Sequence, residues 1–128
     1  MKILLDTHIF IWWIHDNAQL SKKARAYIEN ENNDLFLSIA SVWELSIKLA
    51  LGKIELYQDL EFLISEELEK NNIDLLPIKL KHALHVNKLA HYHRDPFDRM
   101  LVSQALVEGI PLLSDDSLFK KYAVELLY

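Results

Sequence analysis

Apolar positions along the 128-residue chain come in two textures. Ile3-Leu4-Leu5, Leu35-Phe36-Leu37-Ser38-Ile39, Ile73 to Ile78 and Pro111-Leu112-Leu113 are short, nearly unbroken apolar runs. Strands covered on both faces of a parallel sheet need this pattern, and Ala123 to Leu127 offers a fifth. The intervening segments have helical spacing. Ser21 caps a helix that places Ala24, Tyr27 and Ile28 on one face and ends at Asn30, Asn32 and Asn33. Ser41 starts another, with Val42, Leu45 and Leu49 in phase and Gly52 just past its end. Leu60, Leu63, Ile64 and Leu68 mark a third, and Leu80, Ala83, Leu84 and Leu89 a fourth. Asp95-Pro96 opens a fifth that runs to Gly109. Strands separated by helices predict an α/β sandwich with a central, mainly parallel sheet, in which ligands bind beyond the carboxyl ends of the strands.

Composition narrows this picture. The length fits a single domain over residues 1–128. Hydrophobic residues at 51% and charged residues at 26% are ordinary globular usage and exclude intrinsic disorder. The absence of cysteine excludes a disulfide scaffold, a thiol nucleophile and a thiolate zinc site. Two glycines leave no room for a glycine-rich phosphate loop. Met1-Lys2-Ile3-Leu4-Leu5-Asp6 meets a carboxylate before a signal-peptide core can form, and Ile9 to Ile14 is too short to span a membrane, so a cytoplasmic protein is expected. The net charge of -5 does not suggest a simple basic nucleic-acid binder.

The acids fall at meaningful places. Asp6 follows the first strand, and Glu44 lies three residues beyond Ser41 in the helix after the second strand. Asp98 lies three residues beyond Asp95, and Asp115-Asp116 follow the strand ending at Leu113. In a parallel sheet all of these collect at one edge. Each also has a local reading. Ser41-Val42-Trp43-Glu44 has the form of a capping box, Asp95 that of a cap with Asp98 in the first turn, and Ser114-Asp115-Asp116 that of a short helix start. Asp6 is different, because a capping role needs a regular helix immediately behind it, and His8 to Ile14 is apolar on every side.

Carboxylates gathered away from water resist joint ionisation unless a cation compensates. Oxygen-only ligation favours Mg²⁺ or Mn²⁺ over zinc. If ionised, Asp6, Glu44, Asp98 and Asp116 supply four of the five net negative charges. One or two divalent ions would then let a phosphate approach, aided by cations among Lys48, Lys53, His91, His93, Arg94 and Arg99. His82 with His85, and His91 with His93, lack the H-E-x-x-H or cysteine partners of a zinc site. No G-x-S-x-G elbow supports serine catalysis.

Four segments together resemble a known family. Leu4-Leu5-Asp6-Thr7-His8, Ser41-Val42-Trp43-Glu44 with Lys48, His93-Arg94-Asp95-Pro96-Phe97-Asp98-Arg99, and Leu112-Leu113-Ser114-Asp115-Asp116 followed by Phe119 are similar to the motifs of PIN-domain ribonucleases. They resemble most closely the VapC-type toxins of bacterial toxin–antitoxin systems. The resemblance implies a PIN-like three-layer α/β/α sandwich and Mg²⁺- or Mn²⁺-dependent endonucleolytic hydrolysis of RNA leaving a 5′-phosphate. It also implies a homodimer and inhibition by a small antitoxin protein. By position, Asp6, Glu44, Asp98 and Asp116 would be the catalytic and metal-binding acids, Asp95 the cap and Asp115 the variable position. Ser114, Arg99 and Lys48 would meet substrate.

Two other readings stand beside it. An aspartyl-phosphate phosphotransferase would need a second Asp two residues after Asp6, where His8 stands. A PIN-like domain that binds RNA or protein without turnover would use the same acids as caps. The run Ile9 to Ile14, with Trp12 and Trp13, reads either as core or as an exposed interface for the dimer and antitoxin.

Overall fold

A computed structural model describes residues 1–128 and contains five strands and six α-helices. In chain order they are β1 (Lys2–Leu5), α1 (Thr7–Ile14), α2 (Lys22–Glu29), β2 (Asp34–Ser38), α3 (Ile39–Ala50), α4 (Leu60–Lys70), β3 (Ile73–Leu76), α5 (Leu80–Val86), α6 (Pro96–Glu108), β4 (Leu112–Leu113) and β5 (Leu126–Leu127). A 3-10 turn covers Ser117–Lys121. The sheet order is β3-β2-β1-β4-β5, and every pairing is parallel.

The two faces of β1 show why its apolar run is unbroken. Ile3 and Leu5 enter a cluster with Ile9 and Phe10 of α1, Ala24 and Ile28 of α2, Leu45 of α3 and Leu63 and Ile64 of α4. Leu4 points the other way and packs with Leu101, Val102 and Ala105 of α6, Leu112, and Phe119. Helices therefore cover both faces, giving the three-layer α/β/α sandwich that the alternating pattern predicts. No helix is long and apolar enough to cross a membrane.

Three local expectations need correction. Helix α3 begins at Ile39, because the Ser38 hydroxyl takes the Ala40 N–H as its cap. Ser41 is already helical and buried, and its hydroxyl accepts from Thr7 Oγ1 at 2.8 Å, so Ser41 to Glu44 is not a capping box. A regular helix does follow Asp6 directly, although the Asp6 side chain makes no cap hydrogen bond to it. Beyond Thr7 and His8 the helix is wholly apolar, and it is stable because it is wedged against the first core cluster. Ile9 and Phe10 are buried, and Ile11, Trp12, Trp13 and Ile14 are half-buried against that cluster. Trp13 donates its indole N–H to Asn71 Oδ1 at 3.1 Å, with Arg25 over its ring. The exposed aromatic side chains are Trp43, Tyr57, Phe62 and Tyr92, all outside α1.

Chain direction reverses its lateral progress at β1. From there the strands add to one side through β2 and β3, and to the other through β4 and β5. Such a switch point opens a crevice beyond the carboxyl ends of the two central strands, here β1 and β4.

Candidate metal centre

Register brings the first two site residues together. Leu5 pairs with Leu113, and the Asp6 N–H continues the ladder to the Leu113 carbonyl at 3.0 Å. The next residue on each strand is therefore Asp6 on β1 and Ser114 on β4. The Ser114 hydroxyl donates to Asp6 Oδ2 at 2.6 Å and accepts the Asp116 N–H at 3.1 Å. Ser114 is fully buried, so it organises two acids and cannot reach a substrate as the sequence suggested.

Asp116 is held at both oxygens. Oδ1 accepts the Leu118 N–H at 3.0 Å, capping the 3-10 turn, and Oδ2 lies 2.9 Å from His93 Nε2. Asp115 is exposed, and Asp95 is exposed with its carboxylate capping α6 through the Phe97 N–H at 2.8 Å. Asp98 turns inward from the first turn of α6, in the field of Asp6, Asp95, Glu44 and Asp116. Glu44 reaches the same region from the second turn of α3, buried and paired with Lys48 Nζ at 2.8 Å.

Their electrostatics agree with that crowding. Burial, and then the charges of Asp6, Asp95, Glu44 and Asp116, push the Asp98 carboxyl up to about 8. Burial also raises Asp6, against the opposing hydrogen bond from Ser114. Asp6 Oδ1 is buried with no hydrogen-bond partner at all. A buried carboxylate oxygen left bare is costly, and a hard cation is the partner its chemistry fits. One ligand atom each from His93, Asp98 and Asp116 lies within 4.8 Å of the others, close enough for one ion to touch more than one of them.

A sequence-family comparison now decides the family. Residues 3–125 match the model of the PIN domain. The chain belongs to the PIN-domain family.

Solved structures share the fold of this PIN domain over nearly its whole length. VapBC2 from Rickettsia felis, bound to a promoter DNA fragment, superposes with a TM-score of 0.75 at 17% identity, covering 99% of this chain and 98% of that one. VapBC-1 from nontypeable Haemophilus influenzae gives 0.69 at 22%, covering 99% and 97%. FitAcB from Neisseria gonorrhoeae gives 0.65 at 20%, covering 98% and 96%. At these identities the likeness concerns the fold. Among curated proteins there is no significant sequence match.

Of the seven site residues the sequence singles out, the PIN fold gathers Asp6, Glu44, Asp98 and Asp116 around one crevice, with Ser114 beneath them. Lys48 stands at its margin, bound to Glu44. Arg99 departs from expectation. Its guanidinium is buried and donates to the carbonyls of Ala90 at 2.9 Å and Val86 at 3.2 Å, so it fastens the end of α5 and the segment after it instead of facing substrate. His93 is the residue undervalued by sequence reasoning. It reads as one more surface cation, whereas it is buried between the rings of Phe119 and Tyr122 with Nε2 on Asp116. The available signal was its place two residues before the Asp95 cap, which fixes it at the same sheet edge.

Proposed function

We propose that this PIN domain is a divalent-metal-dependent endoribonuclease, the VapC-type toxin of a toxin–antitoxin pair that works as a homodimer. The observation that carries the catalytic part is the convergence of Asp6, Glu44 and Asp116 on Asp98, together with the bare, buried Oδ1 of Asp6. Family membership and fold likeness to VapBC and FitAcB complexes support the toxin part and the antitoxin partner.

Asp6, Asp98 and Asp116 would hold Mg²⁺ or Mn²⁺, with Glu44 at the margin of the set. The bound ion would supply positive charge to the scissile phosphate and lower the pKa of the attacking water. The chain's own part is to keep its carboxylates fixed beforehand. Ser114 holds Asp6, the Leu118 N–H and His93 hold Asp116, and Lys48 holds Glu44. Beside Glu44 runs an open cleft of about 380 Å³ lined by Lys48, Lys53, Arg94 and Phe97, among others. Its cations would receive the phosphodiester backbone, which explains how an acidic protein approaches RNA.

Asp6→Asn keeps the side-chain volume and the Ser114 contact but removes the charge. The purified variant should retain its circular dichroism and lose roughly 10²–10³-fold in RNA cleavage in Mg²⁺. Cleavage at the wild-type rate by the variant would refute the role of Asp6. Wild-type protein that binds RNA but never cuts it in Mg²⁺ or Mn²⁺ would establish the non-catalytic alternative.

A further inference from the structure

The hydrogen bonds around His93 specify which of its ring nitrogens carries the proton. The Tyr122 hydroxyl accepts the backbone N–H of His93 at 3.0 Å and lies 3.1 Å from His93 Nδ1. A carboxylate oxygen can only accept, so the contact with Asp116 puts the ring proton on Nε2, and the Tyr122 hydroxyl gives its own proton to Nδ1. Nδ1 is then an acceptor, and the ring proton sits on Nε2, which faces Asp116 Oδ2 at 2.9 Å. The imidazole stacks on Phe119 at 4.4 Å and lies nearly parallel to Tyr122 at 5.6 Å, which sets the plane of the ring.

From this geometry we propose that Tyr122 and His93 form a positioning relay, in which Tyr122 fixes the Nε2–H tautomer and His93 holds Asp116 oriented for an all-oxygen metal centre. The proposal rests on the metal-dependent reading above and deepens it. It removes His93 from the ligand set, because a nitrogen that donates to Asp116 has no lone pair left for an ion. Its place is that of the hydrogen-bonding partner behind a metal ligand, and such partners typically carry roughly 10–100-fold in metal affinity. Neither residue is a catalytic residue, since both act through Asp116.

Two measurements on the full chain test it. The first is a long-range ¹H–¹⁵N correlation spectrum of the metal-free protein at pH 8, with the His93 signals assigned by their absence from His93→Gln. The expected pattern is a protonated Nε2 and a bare Nδ1, collapsing toward a tautomer mixture in Tyr122→Phe. The second is a titration with Mn²⁺ alone, followed by the electron paramagnetic resonance of the free ion. His93→Leu should weaken Mn²⁺ binding by roughly 10–100-fold. His93→Gln, which keeps an N–H near the Nε2 position, should bind far more tightly than His93→Leu, and Tyr122→Phe should fall between wild type and His93→Leu. An Nδ1–H or doubly protonated ring in the wild type overturns the proposal. So does a folded His93→Gln as weak as His93→Leu, the result expected if His93 were itself a ligand. Wild-type protein that takes up no Mn²⁺ overturns the metal reading, while the nitrogen shifts, recorded without metal, still decide whether Tyr122 sets the proton.

Discussion

Helix α6 carries a carboxylate near each end, Asp98 in its first turn and Glu108 as its last residue. The helix dipole favours negative charge at the first place and opposes it at the second, so Asp98 should be the easier of the two to ionise. The reverse holds. Asp98 is pushed up to about 8, whereas Glu108 is held below its ordinary value. Burial among Asp6, Asp95, Glu44 and Asp116 dominates at one end. At the other, the hydrogen bond from His82 at 2.8 Å dominates, helped by Lys81 at 3.4 Å. A dipole effect of about 0.3–1 kcal/mol does not compete with either environment.

The histidines at the two ends make the comparison sharper. His82 and His93 are both buried, and each places Nε2 within 2.9 Å of a carboxylate. His82 Nδ1 accepts the Lys79 N–H at 2.9 Å, which closes the first turn of α5, so this pair locks α5 to α6. The His93 pair has the same form but ends on an acid that lies with Asp98 within reach of one ion. An identical local device is structural where cations surround it and a site component where acids do.

Changing each α6 carboxylate in turn tests the contrast. Asp98→Asn has the largest expected effect, a loss of roughly 10²–10³-fold in Mg²⁺-dependent RNA cleavage, measured against wild type under the same conditions. Glu108→Ala should leave cleavage intact but lower stability by about 1–3 kcal/mol in urea unfolding at pH 7, because it strands a buried histidine N–H. Equal loss of cleavage in both variants would dissolve the distinction between the two ends.

Their pH profiles should also run in opposite senses. Asp98, raised in the folded state, keeps a proton between about pH 4 and 8 that the unfolded chain has released. Its contribution therefore makes the metal-free protein lose stability as pH rises through that window. Asp98→Asn should flatten that slope and raise the stability of the metal-free protein at pH 8, measured by urea unfolding. Glu108, lowered in the folded state, contributes stability that is present above the ordinary carboxylate range and lost as pH falls through and below it. The smallest effect is that of Asp95→Ala, about 0.5–2 kcal/mol for a lost cap with cleavage retained. Abolished cleavage in Asp95→Ala would exchange the roles of Asp95 and Asp98.

Residues whose meaning is local were legible in the chain. Asp95 reads as a cap followed by Pro96 at the first helical position, and it is one. Ser41 shows the limit of such reading. Ser38, which reads as strand, is the cap instead, because its hydroxyl caps Ala40 and also bonds Gln104 of α6, 66 positions away. Arg99 and His93 were misjudged for the same reason. One is satisfied by carbonyls at the end of α5 and just after it, the other by Tyr122 and Asp116, and neither partnership leaves a periodic trace. Ile9 to Ile14 gave no sign of which side would face solvent, because the run is apolar throughout, and the packing of the whole first core cluster settled that.

The sequence by itself determined the alternation of buried strands and helices, and placed an acid just beyond β1 and another just beyond β4. These follow from hydrophobic periodicity and turn chemistry, which act over a few residues. Tertiary structure alone decided which acids would share a field and which would merely cap. Asp6 meets Ser114 across 108 positions of chain, and Asp98 is raised by acids on three other segments as well as by its own cap. The charge state of a carboxyl depends on its distance from other charges and from water, and only the folded chain sets those distances.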